Sequence, residues 1–433
     1  TTRPMFQNYF TIALRKLIKH RDYALLNVFG LALSIACSIL IFSLIRHHTS
    51  FDKYHKNAER ILRIVMDVKT DKFMPFAGVP MPMAKTLKAE CPIVEKTAMR
   101  SAQSDVLISV PNKAGGKDKF QEEEKFAWVE PELLDILDLP LLRGDGQALQ
   151  EPNTVLLSER LAHKYFGDAD PLGKTLRVNN ESDLRVVGIL RDLPKNTDYN
   201  HEILGSWATL RAMPNVREDL DSWDGARGEN YCFALLSKGH QLSEMEPVMN
   251  RFRQDHPHSE DKDLFQYKAK SMLGLHFDTQ YGRGIDDRFL WALGFIGLFL
   301  LVTACVNFIN MATAHALTRA REIGVRKSLG STRAQLFWQF LFETGLIVVL
   351  SLVVGFFMSW LAMPYLNAWL KTELKFDAPL LAALAVFLTI LGVALTFLAG
   401  FYPGLMQARI NPVSSMKGVV DVPREGVLPL RKV

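Results

Sequence analysis

The sequence predicts an integral membrane protein with four transmembrane α-helices, one and then three, and a large α+β periplasmic domain inserted between the first and second helices. Three observations carry this. Of 433 residues, 48% are hydrophobic while the charged fraction is an ordinary 22%, so the apolar residues must be concentrated somewhere. Four runs reach the length of about 20 apolar residues that a bilayer crossing needs. Between the first and second of these runs, residues 47–287 have the mixed pattern of a domain large enough to bury its own core.

Residues 1–22 are amphipathic. Phe6, Phe10, Leu14, Leu17 and Ile18 recur at helical spacing, with Arg15, Lys16 and Lys19 elsewhere around the helix. This fits a helix on the inner membrane interface, or a plain juxtamembrane extension. The first span, 23–46, has no charge from Tyr23 to Ile45 and is too long for the apolar stretch of a cleavable signal peptide. In 47–287 strands are expected near 60–68, 105–110, 125–129, 176–178, 184–190 and 231–236, and helices near 83–90, 131–137, 158–166 and 243–254. Residues 288–407 hold the remaining spans: Phe289 to Ala314, Thr344 to Trp369, and Ala378 to Met406. A cytoplasmic loop, 315–333, follows the second span, and 408–433 form a cytoplasmic tail or linker.

Charge sets the expected orientation. Residues 1–22, 315–333 and 408–433 together carry 15 Lys and Arg against 4 acidic residues, a net +11, whereas the whole chain is +5 and the remainder therefore −6. Basic flanks stay in the cytoplasm. Both termini and the 315–333 loop are thus expected inside a bacterial inner membrane, in contact with lipid, and residues 47–287 outside it.

Chemical motifs are weak. Gly167-Asp-Ala-Asp-Pro-Leu-Gly173-Lys174-Thr175 suggests a phosphate loop, but five residues separate its glycines where four are required, and Pro171 removes an amide donor. His256-Pro-His258-Ser-Glu260 has no third metal ligand at useful spacing, and His47-His48 suits polar side chains at the outer interface. No catalytic residue, bound cofactor or metal is expected, and no nucleic-acid-binding pattern is present. Cys37 and Cys305 lie inside apolar runs. Cys91 and Cys232 are free to pair or not in an oxidising compartment. Asn307 and Asn310, three apart in the second span, are expected at a seam between transmembrane helices. Glu343 lies near the inner end of the third.

The segment between the second and third spans is the most informative. Thr318-Arg-Ala-Arg-Glu-Ile-Gly-Val-Arg-Lys-Ser-Leu-Gly330 reads as a short helix stopped by Gly330. It places Ile323, Val325 and Leu329 among basic residues, as a docking ridge would.

This segment closely resembles the signature of the MacB/FtsX-type (type VII) ABC transporter permeases, through Arg321, Glu322, Ile323, Gly324, Val325, Arg326, Lys327, Leu329 and Gly330. Tyr402-Pro403-Gly404 with 408–413, 13–17 and 27–31 resemble the ends of the family's membrane helices. Residues 156–162, 166–176 and 187–194 are similar to its MacB-like periplasmic core domain. The resemblance implies a permease subunit, or half of one, that couples cytoplasmic ATP hydrolysis to conformational change in the periplasm. It would drive export or extraction of a substrate such as an antibiotic, peptide or lipoprotein. The alternative is a non-transporting mechanotransmission or signalling module controlling a periplasmic partner. The chain is expected to lack an ATPase domain. Its implied partners are two copies of a separate ABC ATPase subunit that binds the ATP and Mg, and a second permease half supplied as a homodimer, a heterodimer or the C-terminal half of a longer chain. Some members add a periplasmic adaptor and an outer-membrane channel. Residues 321–330 would be the ATPase-coupling helix.

Overall fold

A computed structural model of the chain describes residues 15, 17–19, 21–69, 72–112, 115–214, 216–217, 219–223, 226–256, 264–282, 284–318 and 320–409. Most of the amphipathic 1–22 segment, and the tail from 410 to 433, lie outside the described residues. The chain divides into two compact units, 48–287 and the combination of 1–47 with 288–433.

The 48–287 unit is built on one mixed sheet of thirteen described strands. In chain order they are β1 (Ile61–Lys69), β2 (Phe73–Phe76), β3 (Val94–Gln103), β4 (Val106–Pro111), β5 (Lys117–Glu122), β6 (Phe126–Val129), β7 (Leu141–Gly144), β8 (Thr154–Ser158), β9 (Thr175–Val178), β10 (Ser182–Leu190), β11 (Ile203–Ser206), β12 (Asn230–Leu236) and β13 (Phe265–Ser271). The main path runs β13-β1-β12-β3-β6-β11-β8-β10-β9-β4-β5, with β2 on β1 and β7 on β10. Two pairs, β8 with β10 and β6 with β11, are parallel.

Alternation along the strands divides two cores. Cys232, Ala234 and Leu236 of β12 enter one core, and Phe233 and Leu235 enter the other. Phe126 and Trp128 of β6 oppose Ala127 and Val129 in the same way, because successive side chains of a strand point to opposite faces. The helices α2 (Met83–Glu90), α3 (Glu132–Ile136), α4 (Glu159–Phe166), α5 (Trp207–Ala212), α6 (Met245–Asp255) and α7 (Met272–Leu275) complete this unit. Covered on both faces, β6, β8 and β11 are buried along their whole length. Several strands have no clear apolar alternation. In Lys117–Glu122 and Phe265–Ser271, at the two ends of the sheet path, polar residues predominate because an edge strand is half solvated.

In the other unit, α1 (Arg21–Thr49), α8 (Asp287–Thr318), α10 (Arg333–Leu370) and α11 (Ala378–Arg409) are each long and apolar enough to cross a bilayer. A nine-residue helix, α9 (Ala320–Ser328), lies between α8 and α10 in the chain. The third long helix begins eleven residues before the expected Thr344. Arg333, Gln335, Gln339 and Glu343 interrupt the apolar pattern there, but a capped helix tolerates them. Leu31, Ile35 and Ile39 of α1 pack with Val348 of α10 and with Leu384 and Leu395 of α11. The close approach needs Gly355, where a Cβ would lie 2.9 Å from the carbonyl of Ala32. Between α10 and α11, the Asn367 side chain bonds both the N–H and the C=O of Leu374, at 2.9 and 2.8 Å, which fixes the turn.

Candidate functional site

The corner from 320 to 335 is locally determined at both ends. At the C-terminus of α9, Gly330 has φ +98°, the Ser331 N–H reaches the Arg326 carbonyl and the Gly330 N–H reaches the Lys327 carbonyl. This is the paired-bond C-cap that favours glycine in the left-handed region. Two residues later, Thr332 caps α10. Its hydroxyl accepts from the Gln335 N–H at 3.3 Å, and the Gln335 side chain accepts from the Thr332 N–H at 2.9 Å. No flexible linker separates the two motifs.

This corner presents its side chains unequally. Ile323 is 7% exposed and Gly324 is buried, whereas Val325 is 48% and Leu329 82% exposed. The apolar ridge is therefore Val325 with Leu329, and Ile323 is already packed within the chain. Glu322 accepts from Arg326 at 2.6 Å one turn on, and Arg326 also contacts Gln339 of α10 at 3.4 Å. Gln339 in turn donates to Glu343 at 3.3 Å. Glu343 thus belongs to a polar ladder leading back to α9 rather than standing alone in the apolar span. Partial burial, with Arg333 nearby, lowers the pKa of Lys327. The Arg321 side chain lies outside the described residues.

Asn307 and Asn310 are both exposed on α8. The Asn307 side chain lies beside Gly30 of α1, 3.9 Å from where a Cβ on that glycine would stand. Cys305, Phe308 and Ala312 of α8 pack into the helix core, with Leu301 and Ala304 beside them.

The glycine-rich segment 167–175 is a turn, not a phosphate cradle. Its amides are engaged locally: Leu172 N–H with Asp170, Lys174 N–H with the Pro171 carbonyl, and Gly173 N–H with the Val186 carbonyl. His256 pairs with Glu90 at 2.8 Å and stacks on Trp223; His258 and Glu260 lie outside the described residues. Among the described residues no group of three His, Cys, Asp or Glu side chains is placed to hold a metal. Cys91 and Cys232 are buried free thiols.

Sequence reasoning missed a polar cluster at the base of the 48–287 unit, where the chain enters and leaves it. His48 is buried. Its Nδ1 lies 3.0 Å from His276 Nε2, and His276 Nδ1 lies 3.0 Å from Asp198. Phe51 stacks on His276 at 3.6 Å between ring centroids. With Asp198 accepting from Nδ1–H, the Nε2 lone pair of His276 is left to accept from His48. Asn196 bonds the Ser50 carbonyl at 2.9 Å, Thr197 donates to Asp52 at 2.5 Å, and burial pushes the Tyr54 hydroxyl up to about 12. On the exit side, a Cβ on Gly284 would fall 1.7 Å from the His276 carbonyl oxygen, so only glycine fits. The 196–198 loop therefore ties both chain crossings of the domain together. No spacing rule marks it, because its residues come from three distant stretches.

The MacB-like periplasmic core domain family matches residues 24–248, and the FtsX-like permease C-terminal family matches 294–412. The chain is 20% identical over 424 residues to the macrolide export ATP-binding/permease protein MacB of Neisseria meningitidis, covering 95% of this chain and 61% of that protein. The probable syringafactin export ATP-binding/permease protein SyfD of Pseudomonas syringae is also 20% identical, with 95% and 60% covered. The chain thus spans about three-fifths of the length of these curated relatives. The crystal structure of the periplasmic region of MacB from Actinobacillus actinomycetemcomitans matches at 14% identity and a TM-score of 0.37, covering 50% of this chain and 90% of that one.

Proposed function

Because the chain belongs to the MacB/FtsX-type family of ABC transporter permeases, we propose that it converts ATP-driven motion of a separate ABC ATPase into movement of its 48–287 domain on the other side of the membrane. Two ATPase copies bind the ATP and Mg, and α9 is their docking element. The observation that carries this is the Val325–Leu329 ridge. Two exposed apolar side chains sit at a corner held rigid by two capping motifs, between two helices able to cross the bilayer. A rigid corner passes on displacement, which a flexible loop would absorb.

In this reading the protein is a multi-pass protein of a bacterial inner membrane. Its basic flanks are cytoplasmic and its 48–287 domain is the periplasmic core. Asn307 and Asn310 face a second permease half, since amides exposed on an apolar span gain by meeting a partner helix. The cargo is an exported or extracted molecule such as an antibiotic, a peptide or a lipoprotein. Two of the chain's relatives, named as a macrolide exporter and a probable syringafactin exporter, support export. Reconstitution of the chain with a cognate ABC ATPase in nanodiscs tests the proposal. The ATPase is expected to bind, and its hydrolysis rate to change when the chain is present. An ATPase that neither binds nor changes rate refutes it.

A further inference from the structure

Three neighbouring strands place an unusual row on one face of the 48–287 sheet. Tyr231 of β12 lies opposite Arg100 of β3, and Arg63 of β1 lies opposite Phe233 of β12. Both guanidinium groups stack on the Tyr231 ring, 4.4 and 4.7 Å from its centroid. Arg63 is 3% and Arg100 6% exposed, and among the described residues neither has an ion-pair partner within 4.0 Å.

None of their hydrogen-bond partners among the described residues is a carboxylate. Arg63 donates to the Tyr199 hydroxyl at 3.2 Å and to the Tyr281 carbonyl, and Arg100 donates to the His201 ring. The nearby carboxylates are engaged elsewhere: Asp52 by Thr197, Asp67 by Lys268 and Tyr281, and Asp198 by His276. The Nε atoms of both arginines are buried without a partner. Two guanidinium groups buried side by side, with no carboxylate bonded to either among the described residues, are unfavourable. Burial, with Arg63 alongside, lowers the Arg100 pKa to about 10, so the Arg100 guanidinium remains charged near neutrality.

Arg100, Tyr199 and His201 line a small cavity of about 10 Å³, walled by Val129, Leu133 and Phe233. That is the scale of one water molecule or one small ion. The Tyr199 hydroxyl accepts from Arg63 and keeps its own proton to donate. We propose that this cavity binds a small monovalent anion of the halide class, chloride in the extracytoplasmic fluid, held by Arg100 and the Tyr199 hydroxyl with the Arg63 charge behind them. A water molecule would satisfy the donors but bring no negative charge to the two guanidinium groups.

The test uses the full chain in detergent, with chloride replaced by gluconate, which is far too large for the cavity, at constant ionic strength. Thermal unfolding is followed together with ³⁵Cl NMR line broadening. A hundredfold excess of chloride over Kd is expected to raise Tm by about 5–10 °C relative to gluconate. Arg100→Met should abolish both the shift and the line broadening. Tyr199→Phe, which removes one donor and little volume, should reduce the shift and keeps the test decisive if Arg100→Met does not fold. Identical Tm values in chloride and gluconate overturn the proposal in favour of a water. A chloride effect that persists in either variant at wild-type size places the ion elsewhere and overturns it equally.

Discussion

Replacing Leu329 by Asp separates docking from folding at α9. Leu329 is 82% exposed in the chain, so the substitution removes almost no internal packing. The stability of the isolated chain should change by no more than about 0.5 kcal/mol. If the side chain is buried in a cleft of the ATPase, its loss removes about 1.5–3 kcal/mol of apolar burial. At about 1.4 kcal/mol per factor of ten, affinity falls roughly 10- to 100-fold, before counting the cost of desolvating the new carboxylate. Lys327→Ala should cost less than about 1 kcal/mol, since a partly exposed charge gains little from pairing. Ile323→Asp is the control of opposite kind. At 7% exposure it places a charge against the packed face of the corner, so it should lower Tm and binding together. The assay is co-purification of the ATPase with titrated affinity, alongside thermal unfolding of the chain alone. Normal affinity and normal coupled hydrolysis in Leu329→Asp would refute α9 as the docking element.

Three further outcomes are expected. Burial raises the Glu130 carboxyl to about 7, although the Met99 N–H that it accepts opposes the rise. A folded pKa above the unfolded value gives stability that is complete below about pH 4.5 and lost as pH rises through about 7. Glu130→Gln should therefore raise Tm at pH 8, by up to about 3 kcal/mol in stability at about 1.4 kcal/mol per pKa unit, and do little at pH 4.5; an equal effect at both pH values contradicts this. Changing Asn307 and Asn310 together to Leu should leave the chain folded but weaken association of two permease halves by about 1–2 kcal/mol, read by native mass spectrometry; unchanged association rules out that face. Single cysteines at Lys117 and at Lys327, probed with an impermeant thiol reagent on intact cells, should label at Lys117 only, and the reverse pattern would invert the proposed orientation.

Much of this protein is legible without coordinates, for a local reason. A span of apolar residues is a property of contiguous sequence, so the four long helices and the large insertion between the first two could be read directly. The stop at Gly330 could be read as well, because a helix ended by glycine is written in adjacent residues. In the same way, the serine before Glu159 announces α4, whose first turn it caps at Leu161.

Tertiary structure decided whatever depends on residues far apart in the chain. Ile323, Val325 and Leu329 look alike in sequence, but only the packing of the corner shows that the first is covered and the other two are exposed. Asn307 and Asn310 were readable as polar glue, yet their orientation on α8 depends on which face the other helices cover. The His48–His276–Asp198 chain and the Arg63–Tyr231–Arg100 row each join three separate stretches. Strand register and the meeting of the domain's two ends create them, and neither is encoded at any fixed spacing. Sequence alone determined where the chain is apolar and where its helices stop. Which face each side chain turns, and toward what, follows only from long-range contacts, whose energy depends on burial in three dimensions.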